Sequence, residues 1–161
     1  MSDFSEKSLT WSKQLREGMV LSIDPSSGSK GSMPGYAIFK AGELIESGTI
    51  QLPVGKPLCV RLQTLCQTLQ EEFEVPDVLI TEAIYFSRNN KAGVSLQRSI
   101  GVVLAAFPVN GRVIEVSPNT WRKLRPETYE KTDENDAIMM GYTALLEVDE
   151  TTEIPERILE Q

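Results

Sequence analysis

Hydrophobic and polar residues change period along the chain in a way that marks out successive elements. Residues 19–24, Met19-Val20-Leu21-Ser22-Ile23-Asp24, form an apolar, β-compatible run that closes on a carboxylate and predict a central strand. The Pro-, Gly- and Ser-rich stretch PSSGSKGSMPG at 25–35 predicts a turn or loop. YAIFKAGELIESGTIQL at 36–52 reads as a hairpin with Ala41-Gly42 at or beside its turn. From Pro57 to Phe73 the apolar residues Leu58, Leu62, Leu65, Cys66, Leu69 and Phe73 recur at helical spacing. Pro76 blocks continuation of that helix, and Val78-Leu79-Ile80-Thr81 opens a fourth strand ending at or beside Glu82. This run lacks alternation, as expected of a strand covered on both faces.

Residues 92–107 read as a helix whose apolar surface is Val94, Leu96, Ile100, Val103, Leu104 and Phe107. RVIEV at 112–116 is a fifth short strand, 117–132 is loop or short helix, and a last helix runs from about Asp133 to Leu146. Residues 1–17 show no clear period and are expected to form a short helix or a loose arm. The order β-β-β-α-β-α-β-α predicts an α/β domain: a mixed five-stranded sheet with helices on both faces. The expected organisation is an N-terminal extension over 1–18, one domain over 19–146 and an acidic tail over 147–161.

Composition narrows the chemistry. With 161 residues, 40% hydrophobic and 24% charged, the chain can bury one sizeable core. No apolar run approaches the roughly 20 residues of a membrane span, and the N-terminus lacks a signal-peptide core. A soluble, cytoplasmic protein with no membrane partner is therefore expected. Cys59 and Cys66, seven apart in a helical stretch, read as small core residues on one face, not as a metal pair or disulfide. There is no histidine, which excludes imidazole-dependent hydrolase triads and histidine-ligated zinc.

The net charge of −7 is unevenly spread. Residues 1–84 carry 7 Lys/Arg against 11 Asp/Glu, residues 85–125 carry 7 against 1, and residues 126–161 carry 2 against 11. A basic segment thus sits inside an acidic protein, either as a solvated face or as a local attractor for a polyanion.

The candidate chemistry lies in Asp24, Glu82, Asp133 and Asp136. Each has an ordinary explanation. Asp before Pro opens turns, a Glu after a buried strand can mark a wet sheet edge, and acids at a helix start cap amides and complement the macrodipole. In a sheet of this order, however, the first strand is central and the fourth can lie parallel beside it, so Asp24 and Glu82 project at one carboxyl edge. The three-residue spacing of Asp133 and Asp136 puts both on one face of a helix that starts nearby. Four oxygen ligands at one edge suit two hard cations such as Mg²⁺, which activate water and stabilise the leaving oxygen of a phosphodiester.

These residues also carry a resemblance. IDPSSGSKGSMPGYAIF, LITEAIYF, VIEVSPNTWRK and DENDAIMMGY, in that order across about 19–146, resemble the RuvC-type Holliday junction resolvases of the RNase H-like superfamily, whose DxxDA helix start is matched by Asp133, Asp136 and Ala137. The resemblance implies an RNase H-like fold and a crossover junction endodeoxyribonuclease that acts as a homodimer on four-way DNA junctions. It implies a two-metal hydrolysis with Mg²⁺, Mn²⁺ substituting, and assigns Asp24, Glu82, Asp133 and Asp136 as catalytic and metal-binding residues. Tyr85, three after Glu82, matches an aromatic that stacks on a junction base, with Phe86 as its neighbour. Arg88, Lys91, Arg98, Arg122, Lys123, Arg125 and Lys131 are then candidate phosphate contacts, in recombination or repair of DNA. Residues 92–107, with Gly93, Gly101, Ala105 and Ala106, become the candidate dimer surface.

The chain departs from the bacterial enzymes in one place. Their longer Gly- and Lys-containing stretch before the last two acids is here the short WRKLRPETYEKT, which would suit a phage or other mobile element. Competing expectations are a nuclease of the same fold acting on flaps, forks or RNA–DNA hybrids, a nucleotide-binding domain of actin-like type, and a non-catalytic nucleic-acid-binding module. The length leaves no second lobe for the nucleotide-binding reading.

Overall fold

The computed structural model describes residues 12–26, 28–83, 91–108 and 112–148. A helix over 12–17 (α1) leads into β1 (Met19–Asp24), a short 3-10 turn (Ser29–Gly31), β2 (Gly35–Lys40), β3 (Glu43–Thr49), α2 (Leu58–Glu72), β4 (Val78–Glu82), α3 (Lys91–Ala106), β5 (Val113–Val116), α4 (Pro118–Lys123) and α5 (Asp133–Val148). The sheet order is β3-β2-β1-β4-β5. β1 pairs antiparallel with β2 and parallel with β4, and β4 pairs parallel with β5, so the mixed sheet has β1 at its centre.

Strand parity sorts the core into two layers. Val20 and Phe39, with Val78 and Ile80, pack against α5 residues such as Ala137, Ile138 and Met140 on one face. Leu21 and Ile23, with Leu79, pack against Leu65 and Leu69 of α2 and Val103 of α3 on the other. Helices therefore cover both faces. The β2–β3 hairpin turns at Ala41 and Gly42, both with positive φ (51° and 79°), as a two-residue hairpin turn matching the strand twist requires.

Starts and stops follow local chemistry. Proline at the first position of α4 follows Ser117, and Thr132 caps α5, its Oγ1 accepting from the Asn135 amide at 3.1 Å. The cysteine expectation needs correction. Cys59 is exposed and Cys66 half-buried, because the buried stripe of α2 is Leu65 and Leu69, and both cysteines lie off it. They are free thiols at the helix flank. Ala106 is buried with the α2–α3 core, so it belongs to internal packing, whereas Gly101 and Ala105 are exposed. Among the described residues no helix is long and apolar enough to cross a membrane.

Two glycines let α5 lie close on the sheet. A Cβ at Gly141 would sit 2.1 Å from the Phe39 ring, and one at Gly35 would sit 1.9 Å from the Asp133 carbonyl oxygen. Helix propensity alone favours alanine over Gly141 by about 1 kcal/mol. The overlap with the buried Phe39 ring outweighs this, since overpacking a core costs about 1–3 kcal/mol. Gly141→Ala is expected to lower the thermal midpoint by several degrees in calorimetry, and a rise would show that the helix stands further off.

Candidate active site

The parity that places Val20 on the α5 face places Asp24 there too, and the same holds for Val78 and Glu82 in β4. The last recorded pair of the parallel ladder is Ile23–Thr81, so Asp24 and Glu82 are the next residues along, at the carboxyl ends of two neighbouring strands. Asp24 also pairs across to Gly35, the residue against which Asp133 packs. The absent side chain at Gly35 is what lets the first turn of α5 reach the end of β1. Three distant parts of the chain thus bring Asp24, Glu82, Asp133 and Asp136 to one point.

Their electrostatics register the meeting. Asp24 is 8% exposed, and its carboxyl is held well above the ordinary aspartate range. Burial is the largest cause, followed by the fields of Asp136, Glu82 and Asp133, with Arg122 opposing. Glu82 is also raised, by burial first and by Asp136, against the cations Arg122 and Arg125. Asp136 is raised by burial, with Arg125 and Arg122 pulling it back. Neither Asp133 nor Asp136 serves as the helix cap, a task that Thr132 performs. Both add negative charge to the amide-rich first turn of α5.

Glu82, Asp133 and Asp136 each have a holding partner. Arg122 Nη2 lies 3.6 Å from Glu82 Oε1. Arg125 Nη2 lies 3.3 Å from Asp136 Oδ1, and the Tyr129 hydroxyl donates to the same oxygen. Ser32 Oγ donates to Asp133 Oδ2 at 3.1 Å. Ser26 Oγ in turn donates to the Ser32 carbonyl at 2.8 Å, and Ser99 Oγ of α3 donates to the Ser26 carbonyl at 2.9 Å. The Ser-rich loop after β1 is therefore a brace between α3 and the start of α5.

The basic candidates divide. Arg122 and Arg125 point at the acids, whereas Arg98, Lys123 and Lys131 are exposed on the surface. Tyr85, Phe86 and Arg88 lie outside the described residues, as does the side chain of Lys91. Tyr129, Thr132, Ser32 and Gly35 were not singled out from the sequence. Of these only Thr132, a threonine just before a helical pattern, carried a readable signal.

Among the described residues no three acids form a ready-made metal cage. The donor set nonetheless fits hard divalent cations: oxygen ligands only, one of them almost fully buried amid like charge, with no imidazole or thiolate at hand. Clustered buried anions of this kind call for a compensating cation.

The sequence profile described as crossover junction endodeoxyribonuclease RuvC matches residues 20–149, most of the chain. The chain belongs to the RuvC family. It is 26% identical over 123 residues to the crossover junction endodeoxyribonuclease RuvC of Dictyoglomus turgidum, covering 73% of this chain and 75% of that one. In fold it is similar to Thermus thermophilus RuvC solved in complex with a Holliday junction substrate, with a TM-score of 0.64 at 17% identity over 80% of this chain and 94% of that one. A second Thermus thermophilus RuvC structure gives a TM-score of 0.57 at 16% identity, over 80% of this chain and 95% of that one. The RNase H-like sheet of the RuvC fold is the architecture seen here.

The raised carboxyls fix a sign. An acid whose folded-state pKa lies above its unfolded value makes the folded state bind more protons, so stability falls as pH rises from the ordinary values of 3.8 for aspartate and 4.5 for glutamate through the raised ones. In chelator, Asp24→Asn is therefore expected to melt a few degrees above the parent at pH 7, with the gap closing towards pH 4. A gap independent of pH would mean that the four acids do not strain the fold.

Proposed function

We propose that this RuvC-family chain is a divalent-metal-dependent endonuclease that cuts four-way DNA junctions at symmetrically placed strands. The observation that carries the reading is the convergence of four carboxylates on the carboxyl ends of β1 and β4, with Asp24 buried and its carboxyl pushed up by that burial and by the fields of the other three. Ligands in open α/β sheets gather at such strand ends. Asp24 and Glu82, with Asp133 and Asp136, would hold two Mg²⁺ ions or Mn²⁺ in their place. Held there, the ions would activate water and stabilise the leaving oxygen.

The chain's own residues do the rest. Asp24, whose carboxyl is pushed up by burial and by the fields of its neighbours, would ionise more readily beside a bound cation, which would couple its ionisation to cation entry. Arg122, 51% exposed, spans from Glu82 to the surface and can pair with a phosphate oxygen beside the acids. Exposed Lys123, Lys131 and Arg98 are proposed as further phosphate contacts, and Tyr85 and Phe86 are proposed to stack on splayed bases. Local positive charge beside the site outweighs the overall −7 for a ligand this close.

With equal enzyme on four-way junctions, flaps, forks and RNA–DNA hybrids, paired nicking of the junction in Mg²⁺ or Mn²⁺ is the expected result. Asp24→Asn and Glu82→Gln are expected to lower cleavage by about 10³-fold or more while leaving junction binding in chelator intact. Purified protein that cuts none of the four with either ion would refute the reading, and preference for flaps would move the substrate without moving the site.

The exposed face of α3 is the proposed homodimer surface. Val94 is 50% exposed, and a Cβ at Gly93 or Gly101 would meet nothing within 4 Å, so a second backbone can approach there. Gly101→Arg is expected to shift the protein from dimer to monomer in light scattering after size exclusion. An unchanged dimer would place the interface elsewhere.

A further inference from the structure

Asp136 is held by one oxygen. Arg125 Nη2 donates to Oδ1 at 3.3 Å and the Tyr129 hydroxyl donates to Oδ1 as well. Among the described residues neither bond engages Oδ2. The guanidinium that makes the first bond is itself fixed: its central carbon lies 4.6 Å from the Trp121 ring centroid and 4.5 Å from that of Tyr129. Trp121 is fully buried in the α5-side core. A planar cation between two rings has little freedom, and a lysine could not reproduce either the stacking or the fork.

These groups come from one short piece of chain, α4 and the turn after it, where the family resemblance is at its thinnest. The Arg125 side chain is only 24% exposed, and its Nε is buried without a partner among the described residues. Such a group is poorly placed to be only a surface phosphate contact. Its surroundings suit an outer ligand that orients a carboxylate, since metal-binding carboxylates are commonly held on one oxygen so that the other can face the ion.

We propose that Arg125 and Tyr129 are positioning residues for Asp136, anchoring Oδ1 so that Oδ2 is presented to the divalent ion. This rests on the metal-dependent reading of the four acids. Neither residue touches the reacting phosphate in this role; both act through Asp136. Trp121 is the floor on which the guanidinium rests.

The test is a Mn²⁺ titration of the full chain without DNA, following the free ion by electron paramagnetic resonance, for the parent, Tyr129→Phe and Arg125→Lys. Tyr129→Phe keeps the ring over the guanidinium and removes only the hydroxyl, so its fold is preserved. It is expected to weaken Mn²⁺ binding about 10-fold or more. The metal concentration for half-maximal junction nicking should rise by the same factor, with cleavage at saturating metal largely recovered and junction binding in chelator unchanged. Arg125→Lys is expected to weaken Mn²⁺ binding similarly despite keeping its charge. Unchanged Mn²⁺ affinity in Tyr129→Phe would overturn the proposal, and tighter binding would show instead that the pair holds Asp136 away from the ion. A parent that binds no Mn²⁺ would overturn the metal-dependent reading and this proposal with it.

Discussion

Four carboxylates gathered where the ends of two strands meet the start of α5, two of them buried, repel one another, and the rest of the fold is arranged to hold them there. Asp24 records the strain most clearly, since it is nearly buried and faces the fields of Asp136, Glu82 and Asp133. In water, unit charges a few ångströms apart repel by only about 1 kcal/mol, but in the drier end of a sheet the same pair interacts several times more strongly. Such a cluster would spread apart if its elements were free to move. It persists because each acid sits on a rigid element whose position is fixed by packing elsewhere: Phe39 under Gly141, Thr132 at the start of α5, and the Ser26–Ser32 brace behind Asp133.

The same constraint explains why two arginines lie so close to the acids. Arg122 and Arg125 lower the charge density around Glu82 and Asp136 and pull their carboxyls back down. Arginine suits this because its guanidinium stays charged at any working pH and stacks on Trp121 while it pairs. The compensation is partial, since the three carboxyls remain raised. The residual negative charge would favour a cation, and the proposed phosphate contacts lie only a few positions away in sequence.

Much of this could be read from the chain. The apolar runs around Val20 and Val78 specified strands, the breaks at Pro57 and Pro76 bounded a helix, and the crossover from β1 to a parallel β4 followed from element order. That parallel placement then carried Asp24 and Glu82 to one carboxyl edge without reference to coordinates. What sequence could not supply was direction. Cys59 and Cys66 share a helical face, but periodicity does not say which face is covered, and theirs lies beside the Leu65–Leu69 stripe and not on it. Arg122 and Arg125 were legible as charge near the acids but not as charge aimed at them, and Tyr129, a lone aromatic in a polar loop, gave no sign of its bond to Asp136.

Gly35 shows why close approaches are hard to foresee. In sequence it is the last residue of a Gly- and Ser-rich loop, where glycine is expected for turns. Its φ is not among the positive values, so the backbone conformation does not require it. The requirement comes from a residue 98 positions later, because any side chain at Gly35 would collide with the Asp133 backbone. The distance between Asp24 and α5 is therefore set by the absence of a single methyl group. A cluster of acids that depends on such an approach is assembled by tertiary packing, and its strength as the proposed cation site would be a property of the α5–β2 contact as much as of the carboxylates themselves.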